Sequence, residues 1–294
     1  MAQSPPHKWG QIIGQEFLEV AVEPLLRATA EKHNLFLDVK GPRPSRGGKR
    51  IAWRDHHGNT HDLDFVLERG GTPETTGDPV AFIETAWRRY TRHSRNKAQE
   101  IQGAIMPLAT AHQRQAPFIG VIAAGEWTAG AITQLQSLGF KVLYFSYSAI
   151  VEVFRFVGID ARFTETTPDA ECRKKVRQWA GLNPGDRATL GRRLVTANQA
   201  DVDGFMRSLE EALTRQIEVI RVLPLHGIAV EAPTVDGAMK CVRAYDERTR
   251  AARPLARYEI QVRYNNGDTI SGVFGGKEDA LGFLQSFRPP LSPS

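Results

Sequence analysis

The sequence predicts an α/β chain: a mixed sheet flanked by helices, then a helical segment, then a small βαββα unit. Three observations predict it. Between Pro79 and Gly158, short apolar runs alternate with amphipathic stretches in the order strand, helix, strand, helix, strand, helix, the pattern of a layered sheet. Ahead of them, two apolar runs flank the polar turn HHGNT, residues 56–60, as the arms of an antiparallel hairpin. Towards the C terminus, NNGD at 265–268 separates two alternating runs, the strongest short hairpin signal in the chain.

In chain order, residues 12–30 place Ile13, Phe17, Val20, Ala21, Pro24 and Leu25 at helical spacing, with His33 and Asn34 as a polar stop. Residues 35–39 read as a strand and 41–49 as a Gly, Pro and basic loop; 51–54 and 63–67 are the hairpin arms, and 70–79 is loop by composition. Residues 80–83 form the compact apolar run of a buried central strand. The following helix runs to Thr110, and its start is open: Ser94 serves as an N-cap, while Trp87 and Tyr90 extend it upstream. Strands at 118–123 and 141–145 alternate with helices at 129–138 and 149–156. Residues 172–179 and 200–220 read as helices and the chain turns to strand from Ile217. A helix follows at 238–245, then strands at 258–264 and 269–274, and a last helix at 277–287. The expected domains are 1–160, a helical connector 161–220, and a small α+β domain 221–294 for recognition, dimerisation or regulation.

At 294 residues, 41% hydrophobic and 24% charged, the chain folds without staples, and its length suits two domains. No run approaches the roughly 18 apolar residues of a membrane span, the N-terminal residues lack a secretory apolar run, and two lone cysteines, Cys172 and Cys241, exclude a disulfide scaffold; we expect a cytoplasmic protein without membrane contact. The formal charge of +5 suits a polyanionic partner.

The chemistry concentrates in residues 61–103. Asp64 lies on one expected strand and Glu84 at the end of the next; if the strands are neighbours, two carboxylates converge at one edge and present hard oxygen ligands for a divalent cation. This layout resembles the PD-(D/E)XK nuclease superfamily, whose common core runs α, β, β, β, α, β and of which restriction endonucleases are members. The resemblance covers about residues 10–125 and implies a restriction-endonuclease-like fold, Mg²⁺ (with Mn²⁺ as a substitute) held by Asp64 and Glu84, and hydrolysis of DNA. Asp64 matches the Asp of the motif, with Leu63 where Pro is often found, and Glu84 matches the acidic position. Ala86 stands where the Lys belongs. Either the fold only binds, or another cation supplies the charge. Lys97 is our choice: from a helix that starts at Ser94 it reaches back to the strand end, and from one that starts at Trp87 it lies roughly 15 Å away.

Arg88, Arg89, Arg92, Arg95 and Lys97 share a stretch without an acidic residue, interleaved with Trp87, Tyr90 and His93, a pattern suited to phosphates and bases. Further cations at Arg187, Arg192, Arg193 and from 243 to 257 extend it. Accessory candidates are Glu16 on the first helix, Glu100, and His61 at the edge of DHHGNTHD, a stretch that reads as a polar turn rather than a metal cluster. The expected function is a Mg²⁺-dependent DNA endonuclease of restriction or phage-defence type, a homodimer by the logic of paired cuts. The alternatives are a catalytically inactive nucleic-acid-binding protein on the same fold and a sensor nuclease activated by a ligand of the C-terminal unit.

Overall fold

A computed structural model describes residues 4–224, 228–246 and 257–288. The chain divides into two compact units, one of residues 1–112 and 117–210, the other of 113–116 and 211–294. The expected connector at 161–220 is therefore corrected: its helices up to residue 210 belong to the first unit.

In the first unit, α1 (Pro5–Gln11) runs through a π-helical turn (Ile12–Phe17) into α2 (Leu18–Lys32), so the first helix starts earlier than its periodicity indicates. Then come β1 (Leu35–Val39), β2 (Ile51–Arg54), β3 (Thr60–Leu63), β4 (Phe65–Arg69), β5 (Asp78–Arg88), α3 (Ser94–Ala111), β6 (Phe118–Gly125), α4 (Ala129–Ser137), β7 (Lys141–Ser146), α5 (Tyr147–Arg155), α6 (Asp169–Ala180), α7 (Pro184–Ala197) and α8 (Gln199–Thr214). Five strands form one mixed sheet in the order β1-β4-β5-β6-β7, with β1, β4 and β5 antiparallel and β5, β6 and β7 parallel.

Two expectations change here. The hairpin arm at 63–67 is two strands: β3 pairs with β2 in a separate ribbon, and the chain bends at Asp64 before β4 joins the main sheet. Strand β5 is eleven residues long and extends past the apolar run to Arg88, because Thr85, Ala86 and Trp87 pair with Ile122, Ala123 and Ala124 of β6. Hydrophobic pattern cannot show this, since the sequence turns polar at Glu84 while the ladder continues. Gly125 closes that ladder at φ 95°, with the Arg88 carbonyl 2.1 Å from where a Cβ would stand, so only glycine fits.

Helices α3 and α4 cover one face of the sheet. Ala98, Ile101, Ile105 and Leu108 of α3 pack with Val66, Phe82, Ala86 and Val121 in one buried cluster. On the other face, Trp9, Phe17, Phe154 and Trp179 meet in edge-on and tilted ring contacts that join the N-terminal helix, α5 and α6. All four are fully or almost fully buried, each contributing on the order of 1.5–3 kcal/mol of apolar burial. Helix α7, which the sequence reading left without an element, packs on α2 so closely that a Cβ on Gly191 would meet the Ala21 backbone at 2.9 Å.

The second unit contains β8 (Ile217–Pro224), β9 (Val230–Ala232), α9 (Val235–Ala244), β10 (Tyr258–Tyr264), β11 (Thr269–Phe274) and α10 (Lys277–Gln285). Its antiparallel sheet has the order β11-β10-β8-β9, and Ile220, Val222, Ile260, Val262, Met239 and Phe283 form its core. Strand β9 was not expected, and the helix expected to reach residue 220 ends at Thr214, so that Ile217 begins β8. Residues 247–256 of the basic stretch at 243–257 lie outside the described residues. Among those described, no helix is long and apolar enough to cross a membrane.

Candidate active site in a cleft of the first unit

The bend at Asp64 sets the site. The last paired residues of β4 and β5 are Phe65 and Ile83, so Asp64 and Glu84 follow directly on neighbouring strands. Thr85 lies just past that pairing. Its backbone N–H donates to Asp64 Oδ2 at 2.8 Å and its hydroxyl to the same oxygen at 2.6 Å, which pins the Asp64 carboxylate. Asp64 and Glu84 line one cleft of about 660 Å³. Asp64 thus sits at a bend rather than within a strand.

Glu84 and Ala86 point to the face of β5 that α3 covers, since side chains two apart share a face. Helix α3 starts at Ser94, with His93 in the N-cap position and the Ser94 hydroxyl donating to the Thr91 carbonyl at 2.7 Å. Lys97 is therefore in its first turn, beside Ala98, which packs in the same buried cluster as Ala86. The Lys97 ammonium stands 3.8 Å from Glu84 Oε1 and 3.5 Å from Glu100 Oε2.

Burial pushes the Glu84 carboxyl up to about 8; the Asp64 charge pushes the same way, while Lys97 and the Asp64 backbone N–H oppose it. A second acid feels Asp64 too. Glu19, in the first turn of α2, is raised to about 7, by burial first and by Asp64 next, with Lys40 opposing. The sequence reading named Glu16 instead. Its carboxylate is taken by the Trp179 indole N–H at 2.7 Å and by Lys8 at 3.5 Å, and neither Glu16 nor Glu19 lines the cleft. Glu19 carries the same signal one helical turn later, an acid on the first helix flanked by residues that face the sheet.

No protein-family model matches the chain, and no curated protein matches it either.

The basic stretch is less open than its lack of internal acids indicates, because counter-charges arrive from elsewhere in the fold. Arg88 meets Glu100 at 3.3 Å, and burial pushes its guanidinium down. Arg89 donates to the Phe163 carbonyl at 2.5 Å and stacks on Tyr147, 4.1 Å from the ring centre. Arg92 pairs with Glu165. Arg95 is exposed and has no ion pair among the described residues. His61 bonds to Asp55 Oδ2 at 3.0 Å, and Asp55 also accepts the backbone N–H groups of His57 and Asn59. These bonds, that of His61 foremost, hold the Asp55 carboxyl well below the usual range. His61 therefore braces the β2–β3 turn and does not line the cleft.

Among the described residues, no three His, Cys, Asp or Glu side chains gather closely enough to hold an ion on their own. The donor set is two carboxylates, with Glu19 in electrostatic reach. It fits a hard cation of the magnesium kind, which binds through one or two carboxylates and completes its shell with water and phosphate oxygens. Burial raises the carboxyls of Glu84 and Glu19 first and the Asp64 charge next, and a cation at Asp64 would offset that second part.

Proposed function

We propose that the chain is a Mg²⁺-dependent DNA endonuclease of the restriction-endonuclease-like PD-(D/E)XK type, of restriction or phage-defence character. One observation carries the reading: the carboxylates of Asp64, at the bend before β4, and of Glu84, on β5, share a cleft with an ammonium 3.8 Å from Glu84. The strand order supports it, because helix, three antiparallel strands, helix and a parallel strand occur in sequence around these residues.

In this reading Asp64 and Glu84 would hold the ion, with Thr85 fixing the orientation of the Asp64 carboxylate. When bound, Mg²⁺ supplies a Lewis acid for the phosphoryl oxygen and lowers the pKa of a bound water. Lys97 stabilises the negative charge that builds on the phosphoryl oxygens, from a helix start whose geometry is settled before substrate arrives. Glu100 holds the ammonium from its solvent side. The exposed pairs of Arg92 exchange readily for phosphates, since a surface ion pair contributes about 0–1 kcal/mol.

Ala86 supports the binding-only alternative, and one experiment separates the two. Purified protein is incubated with a supercoiled plasmid and with a single-stranded circle, each with Mg²⁺ or Mn²⁺, in native form and as Asp64→Ala and Glu84→Ala. Cleavage by the native protein alone is expected. DNA binding without cleavage by the native protein overturns the catalytic reading.

A further inference from the structure

The cleft does not end at the carboxylates. It continues past Trp87 and Tyr90 to Phe163, and its volume of about 660 Å³ lies in the range of pockets that enclose one small ligand, about 300–1,000 Å³. One wall is the N-terminal helix, where His7, Gln11 and Gln15 follow at every fourth position into the π-helical turn. The opposite wall carries Asn96 beside Lys97. The side chains of Gln11, half-buried, and of His7, Gln15 and Asn96, exposed, line the cleft and offer it hydrogen-bond donors and acceptors. Wide π-helical turns recur at functional sites, and this one brings Gly14 so close to Trp87 that a Cβ there would stand 2.6 Å from the indole Cβ. The Trp87 side chain is fixed by that contact, while Tyr90 is half-buried with Arg89 and Arg92 at 5.1 and 5.4 Å from its ring centre.

A base inside a duplex has both faces covered by neighbours and its pairing edge occupied, so it cannot enter this cleft as it stands. Rings and amides in a pocket fit a base that is out of the stack. Building on the nuclease reading above, we infer that the cleft seats one unpaired nucleotide, its base beside Trp87 and Tyr90 and its edge along His7, Gln11 and Gln15, and that the strand cut at the carboxylates is single-stranded DNA. The phosphate of that nucleotide then lies towards Asp64, Glu84 and Lys97, at the other end of the same cavity.

The test measures binding without metal. Fluorescence anisotropy in EDTA compares a short labelled oligothymidylate, an abasic strand with the same number of phosphates, and a blunt duplex of equal length. The oligothymidylate is expected to bind at least about tenfold tighter than the abasic strand, the scale of one stacked base. Tyr90→Leu and Gln11→Ala narrow that gap, and Tyr90→Phe, which keeps the ring, preserves it. Equal affinity for the thymidylate and abasic strands overturns the inference, as does tighter binding of the duplex than of either. A cleavage assay on a single-stranded circle with Mg²⁺ runs alongside. Cleavage of DNA without any base preference in binding overturns this inference alone; base preference with no cleavage of any DNA supports the seat and overturns the nuclease reading.

Discussion

Lys97 Nζ stands 3.8 Å from Glu84 Oε1, although one residue belongs to the first turn of α3 and the other to the middle of β5. The small Ala86 side chain, two positions after Glu84 and buried against α3, leaves that approach open. A helix-borne ammonium thus reaches the strand acid without a lysine on the strand itself.

Replacing Lys97 by Met is expected to lower metal-dependent cleavage by about 10²–10³-fold, the usual consequence of losing one charge-stabilising donor. DNA affinity changes little. Initial rates of cleavage of the plasmid or single-stranded circle that the native protein cuts check this, and a Lys97→Met enzyme as fast as the native protein would remove Lys97 from the mechanism.

The two hydrogen bonds from Thr85 to Asp64 Oδ2 hold that carboxylate in one orientation. Thr85→Val removes the hydroxyl and leaves the backbone bond. A hydrogen bond to a charged group contributes about 1.5–3 kcal/mol, so the Mn²⁺ concentration for half-maximal binding should rise about tenfold or more, and Thr85→Ser should restore it. Calorimetric titration of Mn²⁺ reads the effect without any nucleic acid present.

Glu84 and Glu19 carry folded-state pKa values of about 8 and about 7, against 4.5 for an ordinary glutamate. The unfolded chain therefore gives up these protons first as pH rises, and the stability they confer is complete below about 4.5 and lost by about 8. Without metal, the melting temperature should fall between about pH 5 and pH 8.5, and less steeply in Glu84→Gln. Added Mg²⁺ should raise it more at the higher pH, where the ligands are ionised. A steeper fall in Glu84→Gln than in the native chain would contradict the assignment.

Arg92 and Arg95 lie at the surface beside the cleft, one paired with Glu165 and the other without an ion pair among the described residues. Their joint replacement by Ala should weaken oligonucleotide binding and lower the slope of log affinity against log salt by about 1–2. An unchanged slope would mean that this face does not meet phosphates.

Away from the site, Arg43 is buried in a network with Asp38 at 2.9 Å and Glu68 at 2.6 Å, and donates to the carbonyls of Thr72 and Thr75. It ties the loops after β1 and β4 to the sheet. Arg43→Met leaves the buried Glu68 carboxylate without a cation, while Asp38 keeps Arg46 at 2.9 Å, and should cost about 3–5 kcal/mol in denaturant unfolding.

Much of this was legible in the sequence because it is local. The apolar runs of β5, β6 and β7, the NNGD hairpin and the polar HHGNT turn follow from alternation and turn chemistry over a few residues. Asp64 and Glu84 stood out by their place at the ends of such runs. Periodicity did not reveal α7, which is short of apolar residues along one face, or the second half of β5, where pairing continues through polar residues.

The succession of strands and helices from β5 to α5 and the two acids at the ends of apolar runs were legible in the sequence alone, since both follow from local alternation of residues. Tertiary structure decided the rest: that Lys97 reaches Glu84, that Glu19 feels Asp64, and that Glu100 and Glu165 answer the arginines of the basic stretch. Charges act through space with the reach of a few ångströms, and only the packing of helices on the sheet sets which of them meet.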